Sequence, residues 1–315
     1  MAMNQWFRKG NSRRFYRIDM PVRYFIVPTS PIKDREIYAT GANYFPASFH
    51  AKVAGQKLEV QHWAERIQEH SELLIPVFEE IVDFIEFFGS CALSISEGTS
   101  PKSDPGYWME INERLKGFQK ALTLNPKSPK TYQYIKMIET KYLAYLNRLV
   151  HSIDKSTPIK FSVEGHLPVG FKIDEMMSTF KAEKFSKIPL VQTLVHIFDF
   201  MDSYLEPYRL INDDNFLRQF PDDWKIKTAN VSASGIAVNL GKRFQQYERV
   251  DVLLYFPEND RILQFDGSVV DTRTDNQTHL ERVAINFEFP DGNNQDYLQL
   301  QIQKQEVKEC MQFKL

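Results

Sequence analysis

Asn230-Val231-Ser232-Ala233-Ser234-Gly235-Ile236-Ala237-Val238-Asn239-Leu240 is the stretch on which the fold turns. Its first six residues are rich in Asn, Ser and Gly, which tight turns use because they tolerate unusual backbone angles or bond to their own backbone. Ile236, Val238 and Leu240 then alternate with small or polar residues, the period of two that a strand with one buried face requires. Taken alone, Asn230 to Gly235 reads as an ordinary turn between two strands. Around it, the same period predicts strands over Trp224–Val231, Gly235–Leu240, Val250–Phe256, Arg261–Thr272 and Leu280–Phe289. Turn residues separate them, notably Pro257-Glu258-Asn259-Asp260 and Asp275-Asn276. Far upstream, Pro21–Val27 alternates too, with Val22, Tyr24 and Ile26 on one face and Arg23, Phe25 and Val27 on the other. Six antiparallel strands suit a small closed barrel, because closure leaves no unpaired edge.

The upstream strand is entered from Ser12-Arg13-Arg14-Phe15-Tyr16-Arg17, which closes a run holding Arg8, Lys9, Arg13, Arg14 and Arg17 with no acid before Asp19. A guanidinium is a planar fork of donors that pairs bidentately with phosphate oxygens or with the O6/N7 edge of guanine. Alone, such a run reads as a solvated basic arm. Together, Arg13 and Arg17 as R-x-x-x-R, and Asn230, Ser232 and Gly235 as N-x-S-x-x-G, resemble the two signature motifs of the PilZ domain. That family is a small bacterial β-barrel which in its best known form receives the second messenger cyclic di-GMP. The order of the motifs, the strands after both, and Gly267-Ser268-Val269-Val270 before another strand add to the match.

The resemblance covers residues 8–29 and about 222–315. It implies an α+β fold: a six-stranded antiparallel PilZ-like barrel, ending in a C-terminal helix, with a mainly helical domain inserted after the first strand. It also implies that Arg13 and Arg17 wrap a ligand from an arm and touch phosphate and guanine. Asn230 and Ser232 would present polar side chains on the barrel face, and Gly235 would allow a backbone geometry that a Cβ obstructs. Arg14 is either an auxiliary contact or solvent-facing. Ser12 stands where members that bind a stacked ligand dimer often carry Arg, which favours a single bound molecule. Some PilZ-like domains bind no nucleotide and act as scaffolds, so an adaptor is the alternative to a receptor.

Residues 30–221 fall outside the resemblance and are read from their periodicity alone. Trp63, Ile67, Leu74, Val77, Phe78, Ile81, Phe84, Ile85 and Phe88 recur with a helical period, as one long helix or two around Pro76. Trp108, Ile111, Leu115, Phe118 and Leu122 step by three and four like a coiled-coil seam, which either lines an internal bundle core or mediates self-association. Further helices are expected over Thr131–His151 and after Pro189, and packing their stripes together gives an antiparallel bundle. Between them, Ile153–Gly170 reads as the longest loop, with a short hairpin around Phe161, Val163 and Leu167. The tail Tyr297–Phe313 is ambiguous by pattern: Leu298, Leu300 and Ile302 alternate, whereas Leu300, Val307 and Met311 fit a helix. The expected division is therefore 1–29 for the arm and first strand, 30–221 for the insertion and 222–315 for the rest of the barrel.

Composition narrows the function classes. A chain of 315 residues, 43% hydrophobic and 25% charged, has room for two domains and is ordinary for a soluble globular protein. A net charge of -2 gives no whole-protein field for a nucleic acid polymer, so any basic site must be local. Cys91 and Cys310 show no C-x-x-C spacing, which argues against a metal site or disulfide scaffold. The most apolar window, Leu73–Phe88, is interrupted by Pro76, Glu79, Glu80, Asp83 and Glu86 and does not suit a membrane span. With no signal peptide read before Arg8, a cytoplasmic protein is expected. No metalloprotease helix, Walker loop or nucleophile elbow occurs. His196 reads as a structural histidine, and Glu79-Glu80 and Asp213-Asp214 read as solvated helix faces or caps. The expectation is a non-enzymatic receptor with no cofactor beyond its ligand, cyclic di-GMP, and with a protein partner or self-association through the helices.

Overall fold

The computed structural model describes residues 16–288 and 291–312. Six strands, β1 (Ile18–Pro28), β2 (Ile226–Ser232), β3 (Gly235–Leu240), β4 (Arg249–Phe256), β5 (Arg261–Asp275) and β6 (Leu280–Phe287), close into an antiparallel barrel in the order β1-β2-β3-β6-β5-β4. β1 is the closing strand. Its first half pairs with β2, from Ile18↔Val231 to Arg23↔Ile226, and its second half pairs with β4, from Arg23↔Tyr255 to Pro28↔Val250. Alternation along each strand fills the interior: Val231, Ile236, Val252, Leu263, Val269, Val283 and Ile285 are fully buried. Phe265 and Phe287 stack there with centroids 4.1 Å apart. The second half of β1 is buried on both faces, because Phe25 and Val27 point outward against Trp224, Leu253 and Tyr255. The Trp224 indole stacks on Phe25 and its Nε1 donates to the Leu217 carbonyl at 2.6 Å, which clamps the entry to β2.

Between β1 and β2 run α1 (Ala47–Ala64), α2 (Ser71–Ser96), α3 (Tyr107–Leu115), α4 (Pro129–Lys155), α5 (Lys172–Phe180) and α6 (Pro189–Phe216). α6 is the hub, packed against α1 and α2 and touched by α4 and α5. The insertion leaves at Pro28 and returns at Ile226, opposite Arg23, so its two ends are about 17 Å apart along β1 at the usual strand rise. α7 (Gly292–Gln312) follows the barrel and lies against β1 and β2.

Several local expectations differ from the structure. The chain breaks between α1 and α2 at residues 65–70, where His70 adopts a left-handed φ of 58°, and Pro76 lies inside a continuous α2. The seam from Trp108 to Leu122 is not one helix. α3 ends at Leu115, Gly117 turns the chain with φ +78, and Phe118 continues in a new direction with its N–H donating to Glu139 Oε1 at 2.5 Å. The positive φ at Gly117 favours glycine, and a Cβ there would displace the Glu139 carboxylate, 2.2 Å away. Ile111 and Phe118 are buried, whereas Trp108 and Leu122 are each 50% exposed. No strand forms around Phe161 and Leu167. Both insert into the core, while Glu164 between them is held by Arg148 and by His151 Nδ1 at 2.9 Å. The nine residues of α5 are too short to show a period and were not anticipated. In α7 the buried pair is Leu298 and Ile302, whereas Leu300, Val307 and Met311 face solvent.

The two parts are joined by polar groups as well as by a continuous apolar core. Lys242, 4% exposed, donates to the Ile26 carbonyl of β1 at 2.7 Å and to Asp214 of α6 at 2.5 Å. The Tyr44 hydroxyl also donates to Asp214 at 2.5 Å, and burial together with that carboxylate pushes its pKa well above the tyrosine range. Asp214 is therefore a buried ion-pair partner and not the solvated helix-face residue its sequence context suggested.

Candidate functional site

The β2–β3 turn is the part of the site most tightly fixed by its own chemistry. Ser232 pairs with Gly235 across the two-residue loop Ala233-Ser234. Ser232 is fully buried, which differs from the expectation of a hydroxyl presented on the barrel face. Its Oγ donates to the Gly235 carbonyl at 3.3 Å and accepts from the Ser234 N–H at 3.4 Å, so it builds the turn from within. Outside partners complete it: the Phe287 N–H donates to the Ser234 carbonyl at 2.9 Å, and Gln295 of α7 donates to the Ala233 carbonyl at 3.1 Å. Gly235 is needed for close approach. A Cβ there would lie 2.4 Å from the Ile285 carbonyl oxygen of β6.

From this turn a row of residues crosses the outer surface on five strands. Asp19 faces Asn230, Asn230 faces Ala237, Ala237 faces Ala284, and Ala284 faces Asp271. The Asn230 Nδ2 donates to Asp19 Oδ1 at 2.8 Å, which orients the amide. Ala237 and Ala284 carry nothing beyond Cβ, so the middle of the row is a low floor between polar walls. A second row runs beside it, Asn239–Arg282–Arg273, on β3, β6 and β5. The two rows line up only because β5 carries an irregularity between Val269 and Asp271. Val269 still points inward, Val270 is extra, and Asp271 and Arg273 then share the outer face with Ala284 and Arg282.

A cavity of about 420 Å³ sits on this face, lined by Arg17, Val270, Asp271, Arg273, Arg282 and Ala284. The guanidiniums of Arg273 and Arg282 share this lining with one carboxylate, Asp271, whose Oδ2 lies 2.8 Å from Arg273 Nε. The local balance therefore favours an anion even though the whole chain is slightly acidic. Arg17 reaches the cavity because it directly precedes Ile18, the residue paired with Val231 beside the turn.

Of the residues singled out in the sequence, Arg17, Asn230, Ser232 and Gly235 thus belong to one end of the barrel and its outer face. Arg13 and Arg14 lie outside the described residues. Sequence reasoning missed Asp19, Ala237, Asp271, Arg273, Arg282 and Ala284. The spacing of two in Arg282-x-Ala284 and Asp271-x-Arg273 was the available signal, but the extra residue in β5 hides which face each strand end presents.

Fold and face together define a class: a small closed β-barrel with a cation-rich outer surface beside a tight Asn-Ser-Gly turn. Residues 207–304 match the PilZ domain family, and this part of the chain is a PilZ domain. The match begins within α6, spans β2 to β6 and ends within α7, so β1 and the arginines before it lie outside it. Among solved structures, the chain is similar to the Bacillus subtilis inhibitor of motility (MotI/DgrA), at 21% identity over 27% of this chain and 43% of that one, with a TM-score of 0.24. It is also similar to a pathogenic protein of Xanthomonas campestris, described as a tetrameric PilZ domain self-assembled through a helical bundle. That alignment has 19% identity over 29% of this chain and 55% of the other, with a TM-score of 0.24. The chain thus spans about half the length of these structures. No curated protein matches it.

Proposed function

We propose that this chain is a receptor for cyclic di-GMP, capturing the dinucleotide on the barrel face between Asn230 and Arg282, with Arg13, Arg14 and Arg17 as contacts from the N-terminal side. The observation that carries the reading is the convergence of Arg17, the Asp19-oriented Asn230 and a cation-rich cavity next to the Ser232–Gly235 turn of a PilZ domain. Cyclic di-GMP carries two phosphates and two guanines. A guanidinium serves either group bidentately, and the alanine floor leaves room for a ring to lie against the sheet.

Output in this reading passes to the helices through β6. Arg282 faces the cavity, while the preceding residue, Glu281, is fully buried and accepts from Ser48 of α1 at 2.6 Å. A ligand that favours one setting of this strand would be sensed by α1 only through a difference in affinity between the two settings. Polarisation with fluorescent cyclic di-GMP checks the reading. Saturable binding is expected, displaced by unlabelled cyclic di-GMP and not by GMP, and lost in Arg17→Ala.

A second reading, a nucleotide-independent adaptor, is favoured by one observation: the adjacent Trp108 and Met109 of α3 are 50% and 68% exposed. Large apolar side chains of this kind anchor protein interfaces. An adaptor would keep its partner when Arg17 is changed and lose it in Trp108→Ala.

A further inference from the structure

Arg282 and Arg273 stand directly opposite each other on β6 and β5. Like charges in directly opposed positions destabilise a ladder, so the pair is a cost to the ligand-free barrel unless something offsets it. Arg273 has an offset in Asp271, 2.8 Å away. Among the described residues the Arg282 guanidinium has neither a carboxylate nor a hydrogen-bond partner, and it is exposed at the edge of the same cavity. Neither arginine belongs to the R-x-x-x-R or N-x-S-x-x-G pattern. The β5 irregularity brings Arg273 to this face, opposite Arg282, which lies there by the regular alternation of β6.

We propose that Arg282, backed by Arg273, is a second phosphate seat for the bound dinucleotide, in the row beside the Ala237–Ala284 floor. This inference rests on the cyclic di-GMP reading and adds to it a division of labour. Arg17 takes one phosphate, and Arg282 receives the other from the sheet. Arg273 and Arg282 face a single carboxylate, Asp271, in the lining of the cavity.

The test uses the full chain and cyclic di-GMP, with affinity measured at two salt concentrations and melting temperature recorded with and without ligand. Arg282→Ala is expected to weaken binding by about tenfold or more, to flatten the salt dependence, and to leave the ligand-free melting temperature unchanged or higher, since it relieves the opposed pair. Arg282→Lys should retain part of the affinity, because an ammonium keeps the charge and loses the bidentate fork. Arg282→Ala binding as tightly as wild type, while Arg17→Ala loses binding, would overturn the second seat and leave the receptor reading intact. Absence of binding by the wild-type chain would overturn the receptor reading, and the second seat with it.

Discussion

Gly235 shows how far a single residue can be explained here. Its backbone angles are ordinary, and what excludes a side chain is the β6 backbone, with the Ile285 oxygen 2.4 Å from where a Cβ would stand. Gly235→Ala should therefore act as overpacking, costing about 1–3 kcal/mol in urea unfolding. An unchanged midpoint would show that β6 yields freely. The turn between Asn230 and Gly235 was legible in the sequence because turn chemistry is local. The role of Ser232 was half legible: the hydroxyl type was apparent, its complete burial was not. Asp214 and Lys242 were misjudged or overlooked, because nothing local distinguishes a solvated charge from one that a distant element covers. Arg282 escaped notice for a related reason: its meaning depends on Arg273, which only the ladder brings opposite.

At the scale of elements, the period of two gave all six strands within a few residues of their observed ends, and β3 without error. The bulge in β5 was invisible, since one extra residue reverses the alternation without changing its composition. Helical periods fared less well wherever a glycine cut them. The seam from Trp108 to Leu122 keeps its spacing on paper while Gly117 divides it in space. α7 offers a clean test of which stripe packs. Leu298 is fully buried and Leu300 is 46% exposed, so Leu298→Ala should cost about 2–5 kcal/mol and Leu300→Ala no more than about 0.5. Equal losses would mean that α7 docks in another orientation.

For the whole molecule, the architecture of a barrel holding an insertion was legible because the two motifs bracket a region of different period. The manner of joining was not, because it rests on pairs far apart in sequence. Lys242 and Asp214 bind the β3–β4 connection, β1 and α6 into one buried polar cluster. Asp214→Ala would strand the Lys242 ammonium and should cost about 3–5 kcal/mol in chemical denaturation, whereas the double change Lys242→Met with Asp214→Leu should recover much of it. A single change costing less than about 1 kcal/mol would mean that water reaches the pair. No helix among the described residues is long and apolar enough to cross a membrane.

Capture of cyclic di-GMP on the face bounded by Arg17, Asn230 and Arg282 is what the proposed function requires of the barrel. Calorimetric titration of the full chain with the dinucleotide tests it most directly. Saturable heat near one ligand per chain is expected, weakened at higher salt and absent in Arg17→Ala. Heat that persists undiminished in Arg17→Ala, or no heat and no thermal shift in the wild-type chain, would contradict it.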